Sequence, residues 1–297
     1  MVRVRAEMTG TLRASRTAVM VCQGRAAGHG LIATGRFSDP TAMALLRDGE
    51  RTAVNRVRDG AVPGRWRERV DYEMVRGCAE MMVPRTVAID DAVRERASPQ
   101  VVILGAGLDG RAWRMPELAG AAVFEVDQPA SQQDKRDRAA LLDGAGPAYV
   151  AVDFGRDDLV EVLAAAGCRA DVATTWIREG VVPYLTRPEV AATVAAAAAC
   201  SAPGSRLIVN FQAPAPSMRV GQLVARALMA STGRRSVWAR EPWRSTWTAG
   251  EMTALLARHG FTVTLDQDLL AVAAALETPS HRPRSLGNSR LMVADHN

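Results

Sequence analysis

The chain has 297 residues, of which 48% are hydrophobic and 23% charged, a composition that excludes a disordered segment and fits one large domain or a domain carrying a cap. Its net charge of +5 comes from 37 basic against 32 acidic residues; every basic residue except Lys135 is arginine, and without a dense basic run no nucleic-acid surface is expected. Cys22, Cys78, Cys168 and Cys200 are far apart and form no C-x-x-C pair, no window reaches ~18 uninterrupted apolar residues, and the first residues lack a signal-peptide core. A cytoplasmic protein without a zinc site, disulfide framework or membrane contact is therefore expected.

Residues 1–97 show no strand pattern. The stretches Ser15–Ala27, Pro40–Asp48 and Arg69–Ala97 read as helical segments broken by Gly and Pro, giving an N-terminal helical cap. From residue 98 to 297, short apolar runs alternate with helical patterns, as in a parallel sheet covered on both faces. Strands are expected at Val101–Gly105, Ala121–Asp127, Ala148–Phe154, Ala170–Ile177 and Arg206–Gln212. The alanine-rich run Val190–Cys200 reads as a buried helix. A lid insertion at 213–248 interrupts the rhythm and holds Trp238, Trp243 and Trp247, either core residues or a pocket wall. A helix at Ala249–Gly260 precedes two last strands, Phe261–Gln267 and Ser289–Asp295, which pair as an antiparallel hairpin at one sheet edge. The result is an α/β, Rossmann-like seven-stranded sheet of five parallel strands plus a C-terminal antiparallel hairpin, the class I methyltransferase plan, rather than two dinucleotide-binding halves.

The first strand ends in Gly105, Gly107 and Gly110, spaced G-x-G-x-x-G. Such a turn brings backbone close to a ligand at the carboxyl end of a parallel sheet, and a plain tight turn is the alternative. Asp109 is placed to cap the next helix or to meet a ligand ammonium. Asp127, about twenty residues after the first glycine, is placed to accept both hydroxyls of a ribose and is preferred to Glu125, which is nearer the strand interior. Asp153 and Phe154 suit an adenine, although Asp153 alone reads equally well as a helix N-cap. His259 reads as an ordinary helix C-terminus.

Together, "VVILGAGLDGRAWR", "FEVDQP", "TTWIREGVVPYL", "SRTAVMVCQGRA" and "SDPTA" resemble the leucine carboxyl methyltransferase family, in its bacterial, actinobacterial branch of S-adenosylmethionine-dependent O-methyltransferases. The resemblance implies S-adenosyl-L-methionine as cofactor and S-adenosyl-L-homocysteine as product. It implies that Arg85 pairs with the methionyl carboxylate, Gly105 and Gly107 line the cofactor, Asp127 holds the ribose, and Asp153 with Phe154 holds the adenine. Glu179 then lies near the amino-acid end, and Arg25 matches a basic residue of the family. Tyr184 and Arg178 are the candidate acceptor contacts, with Tyr72 and the tryptophans as an aromatic wall. The expected reaction is methyl transfer to a small molecule of specialised metabolism, at a carboxylate or hydroxyl oxygen. Transfer to carbon or nitrogen of an aromatic such as an indole is the alternative, and an NAD-dependent oxidoreductase the remote one. Two departures stand out: the family reads G-A-G-L-D-T where this chain has Gly110, and proline where it has Thr174. Restoring threonine at 110 is expected to be tolerated.

Overall fold

The apolar runs become β1 (Gln100–Leu104), β2 (Ala122–Asp127), β3 (Ala148–Ala151), β4 (Thr174–Arg178), β5 (Arg206–Gln212), β6 (Phe261–Asp268) and β7 (Ser289–His296). They are seen in a computed structural model that describes residues 15–153, 156–215 and 243–297. The sheet order is β3-β2-β1-β4-β5-β7-β6, with β1 to β5 parallel and β7 antiparallel to both its neighbours. The two last strands do pair, but β7 is inserted between β5 and β6 and is not at the edge. Burial explains the placement: Leu291 to Ala294 are buried on both faces, whereas Thr264, Leu265 and Asp266 of β6 remain open as an edge can.

Alternation along the strands divides the core. Val102, Leu104, Phe124, Val126, Trp176, Leu207 and Val209 face one side with α7 (Leu159–Ala165), α8 (Arg187–Ala199) and α9 (Ala249–Arg258). Val101, Ile103, Val123, Ile177 and Ile208 face the other, covered by α4 (Trp66–Arg96), α10 (Leu269–Ala275) and α11 (Pro283–Asn288). Helices α8 and α9 each start in a capping box, Thr186 with Glu189 and Thr248 with Glu251, so that both begin at a fixed residue.

The N-terminal helices are α1 (Arg16–Gly28), α2 (Thr41–Ala44), α3 (Asp48–Arg58) and α4. Helix α1 lies close on α4: a Cβ on Gly28 would come 2.4 Å from Val83, and one on Gly24 2.8 Å from the Cys78 Sγ. The Gly and Pro read as breaks in the last segment are both inside α4. Gly77 makes room for Arg282, whose Cζ lies 2.6 Å from where a Cβ would be. Pro84 is buried, and packing on both flanks outweighs the ~3 kcal/mol that an interior proline costs a helix. Val75 and Ala79 of α4 join the core of the N-terminal helices, while Ala88, Ile89, Ala92 and Val93 join that of the sheet. One helix thus belongs to both cores. The turn after β1 leads into α5 (Arg111–Arg114), and β2 into α6 (Pro129–Ala139). Among the described residues no helix is long and apolar enough to cross a membrane.

Candidate active site

A cavity of about 1120 Å³ opens at the carboxyl ends of β1 to β4. It exceeds the ~300–1,000 Å³ usual for a site that holds one small ligand. Its walls are the β1 turn, the ends of β2 and β4, the start of α1 and the small-residue face of α8 formed by Ala192, Ala195, Ala196 and Ala199. The alanine-rich run is therefore a cavity wall rather than a helix buried all round. Of the residues singled out from sequence, Arg25, Arg85, Gly105, Gly107, Asp127, Asp153, Glu179 and Tyr184 all line this cavity. Phe154 and Trp238 lie outside the described residues.

Gly105 and Gly107 have φ of 70° and 50°, which a side chain at either position would resist. Protein atoms also crowd them: a Cβ on Gly105 would come 2.4 Å from Val181, and one on Gly107 3.0 Å from Ala18 of α1. The turn therefore fits both the cavity and the neighbours that close it. The Gly107 N–H donates to Asp127 Oδ2 at 2.7 Å and the Gln128 N–H to Oδ1 at 2.7 Å. Burial raises the Asp127 carboxyl above its ordinary value against these two N–H groups. The distance of twenty residues is thus closed by a hydrogen bond that fixes the carboxylate at the cavity.

Around Glu179 lies a buried ion network that sequence reading located only in part. Arg85 Nε meets Glu179 Oε1 at 2.8 Å, and Arg111 Nη1 meets Glu179 Oε2 at 2.8 Å. Arg111 also holds Asp109 and, at 2.7 Å, Asp90; Arg114 Nη1 meets Asp90 at 2.6 Å. Arg25 Nε meets Asp39 at 2.8 Å and its Nη2 donates to the Leu108 carbonyl. Four arginines face four carboxylates, a balance that makes burial tolerable. Burial alone would raise the carboxyls, yet Arg111, Arg85 and Arg25 hold Glu179 well below the carboxylate range, Arg111, Lys135 and Arg25 hold Asp109 down, and Arg25 with Arg114 does so for Asp39. The Nη atoms of Arg85 make no hydrogen bond among the described residues and lie beside Gly180, so a carboxylate entering the cavity finds a guanidinium edge there.

Asp109 lines the cavity one residue before Gly110, the N-cap of α5; it accepts from the Arg111 N–H at 2.7 Å and pairs with the Arg111 side chain. Thr17, absent from the sequence reading, lines the cavity with a buried hydroxyl that has no partner among the described residues. The only cue was its place on the first turn of a capped helix.

Arg178 does not line the large cavity. It is 1% exposed, turned into the space between β4 and α8, where Nη1 donates to the Val190 carbonyl at 3.2 Å and a separate cavity of about 30 Å³ adjoins it. Strand alternation sets that direction, because Arg178 shares its face with Trp176. Tyr72 and Trp247 are buried away from the large cavity; Trp247 packs in the sheet core, with Arg187 stacked 4.5 Å from its ring, and Trp243 is not among the lining residues either. His259 is the C-cap of α9.

The model of the family described as leucine carboxyl methyltransferase matches residues 18–198. A relative from Mycobacterium sp. (strain JLS), 36% identical over 74% of this chain and 72% of its own length, bears the name "Putative S-adenosyl-L-methionine-dependent methyltransferase". A relative from Mycobacterium avium (strain 104), 35% identical over 69% of both chains, bears the same name. The chain belongs to the leucine carboxyl methyltransferase family. In fold it is similar to a "putative methyltransferase" of Thermobifida fusca, with a TM-score of 0.57 at 16% identity over 96% of both chains.

Against the family's G-A-G-L-D-T, Gly110 has a specific neighbour. A Cβ at 110 would stand 2.1 Å from the Thr41 Oγ1, which donates to Asp39 at 2.8 Å. Here a hydroxyl from α2 fills the space that a side chain at 110 would need. Threonine at 110, expected from sequence to be tolerated, requires the Thr41 side chain to shift. The second departure is remote from the cavity: the Thr174 N–H donates to Ser205 at 3.0 Å and its hydroxyl accepts from Gln100 at 3.0 Å, bonds that the family's proline would not make.

Proposed function

We propose that this member of the leucine carboxyl methyltransferase family transfers a methyl group from S-adenosyl-L-methionine to a carboxylate or hydroxyl oxygen of a small molecule in the cytoplasm. The observation that carries the reading is one cavity in which Asp127, held by the Gly107 N–H, stands with an Arg85–Glu179 pair whose Nη atoms are open. These donors and acceptors fit an amino-acid nucleoside: Asp127 suits a ribose diol, Arg85 a carboxylate and Glu179 an ammonium. Asp153, with Phe154, would serve the adenine, and Arg25 braces the turn through Leu108. When bound, the cofactor supplies a sulfonium methyl open to in-line attack.

The protein's share is position and dryness. Val21, Leu185 and the α8 alanines exclude water, and Ser15, Thr17 and Ala18 of the N-terminal cap face Tyr184 and Arg244 across the remaining space. Tyr184 and Thr17 would orient the acceptor oxygen. A carboxylate acceptor is already a nucleophile and needs no base, whereas a hydroxyl would give its proton to one of the carboxylates that line the cavity. The described part of the cap, 15–97, would shape the acceptor side; most of the insertion, 213–248, lies outside the described residues.

Calorimetric titration with S-adenosyl-L-homocysteine beside NAD tests the reading. Binding of the first and not the second is expected, and stabilisation by NAD alone sinks it. Asp127→Ala should weaken S-adenosyl-L-homocysteine by roughly 10–100-fold, the loss of a charged hydrogen-bond acceptor. Candidate acids and phenols incubated with S-adenosyl-L-methionine should gain the mass of a methylene unit.

A further inference from the structure

Arg178 closes β4 in a setting unlike that of the other buried arginines. Its Nε and Nη2 find no acceptor among the described residues, and only the Val190 carbonyl takes a bond from Nη1. Among the described residues no carboxylate offsets it: burial pulls the guanidinium down to about 9, still protonated at neutral pH. A buried cation with two bare donors is a costly arrangement unless a counter-charge sits with it. Beside it lies the cavity of about 30 Å³, lined by Leu104, Gly105, Arg178, Val181, Leu185 and Thr193. That volume is small against the main cavity and takes a single small occupant. Gly105, Val181, Leu185 and Thr193 also line the large cavity, so a thin wall separates the two.

We infer that the cavity beside Arg178 is a binding site for a halide-sized monovalent anion, held by Nε and Nη2 behind the wall of the large cavity. Water would satisfy the two donors but leave the charge uncompensated, whereas an anion does both. The remaining walls are aliphatic apart from the Thr193 hydroxyl, which already donates to the Val190 carbonyl at 3.0 Å, so a weakly hydrated halide suits them better than a strongly hydrated ion. The site stands whether or not the methyl-transfer reading does, because Arg178, which holds the ion, does not line the larger cavity.

Thermal unfolding over a chloride series, with gluconate keeping ionic strength constant, tests the inference. A saturable rise of about 2–4 °C is expected with chloride or bromide and not with sulfate. The rise should vanish in Arg178→Met. Crystals grown in bromide should show anomalous density within hydrogen-bond distance of the Arg178 guanidinium. An equal rise in Arg178→Met, or a rise that follows ionic strength with any anion, overturns the site. So does a bromide crystal with no anomalous density beside Arg178, or density without the thermal shift, which would mean binding at crystal concentration only. Should Arg178→Met fail to fold, the bromide crystal and the anion series on the unaltered chain decide alone.

Discussion

Arg111 and Arg178 are both almost fully buried near the carboxyl end of the sheet, and they differ in what surrounds them. Arg111 reaches Asp90, Asp109 and Glu179, and its neighbours Arg25, Arg85 and Arg114 are matched by carboxylates in the same network. Arg178 meets one carbonyl. The same side chain is therefore part of a rigid scaffold in one place and an open demand for charge in the other. The difference shows that burial of a cation has no fixed sign for stability; the partners decide it.

The largest effect should come from breaking the paired side. Glu179→Ala leaves Arg85 and Arg111 short of a carboxylate and should lower unfolding stability by about 3–5 kcal/mol, read from urea denaturation. A drop below 1 kcal/mol would mean that the network is not an energetic unit. Next is the packing that borders it. Gly110→Thr drives a side chain into Thr41 and should cost about 1–3 kcal/mol, whereas Thr41→Ala with Gly110→Thr should recover most of that loss in a double-mutant cycle. The lone arginine should respond with the opposite sign. In gluconate, Arg178→Met removes an uncompensated buried charge and should raise stability by about 1 kcal/mol, and chloride should narrow the gap to the parent chain.

A further effect is in pH. Glu125, buried against Lys135, is raised to about 7 by burial, which exceeds the pull of Lys135. Its folded value lies above the unfolded one of about 4.3, so the folded chain binds the proton more tightly and stability should fall as pH rises from about 4.5 to 7. Glu125→Gln should flatten that slope. Glu179, Asp109 and Asp39 have depressed values and act the other way, losing their contribution as pH falls below about 4.

The strands were legible because each is an apolar run closed by a polar residue, and the place of Asp127 at the cavity was legible because it ends the strand beside the glycine turn, twenty residues from Gly107. The place of β7 was not, since nothing local states which neighbour a last strand inserts between; Leu291 to Ala294, apolar on both faces, were the cue. Reading Gly77 and Pro84 as breaks failed because propensity is local, while α4 is held by two cores. Arg85 and Glu179 were reached through the family resemblance, but Asp39, Asp90, Arg111 and Arg114 were missed. Asp39 is 14 positions from Arg25, and Asp90 is 21 from Arg111 and 24 from Arg114, and no spacing rule encodes contacts of that kind. The inward turn of Arg178 was available from its parity with Trp176 and went unused.

The contact between Gly110 and Thr41 also couples the two positions in descent. A side chain at 110 and the hydroxyl of Thr41 claim one space, so whichever comes second arrives at a cost that the first removes when it is lost. Relatives that retain threonine at the first position should carry a smaller residue at the second, and living intermediates should lack both.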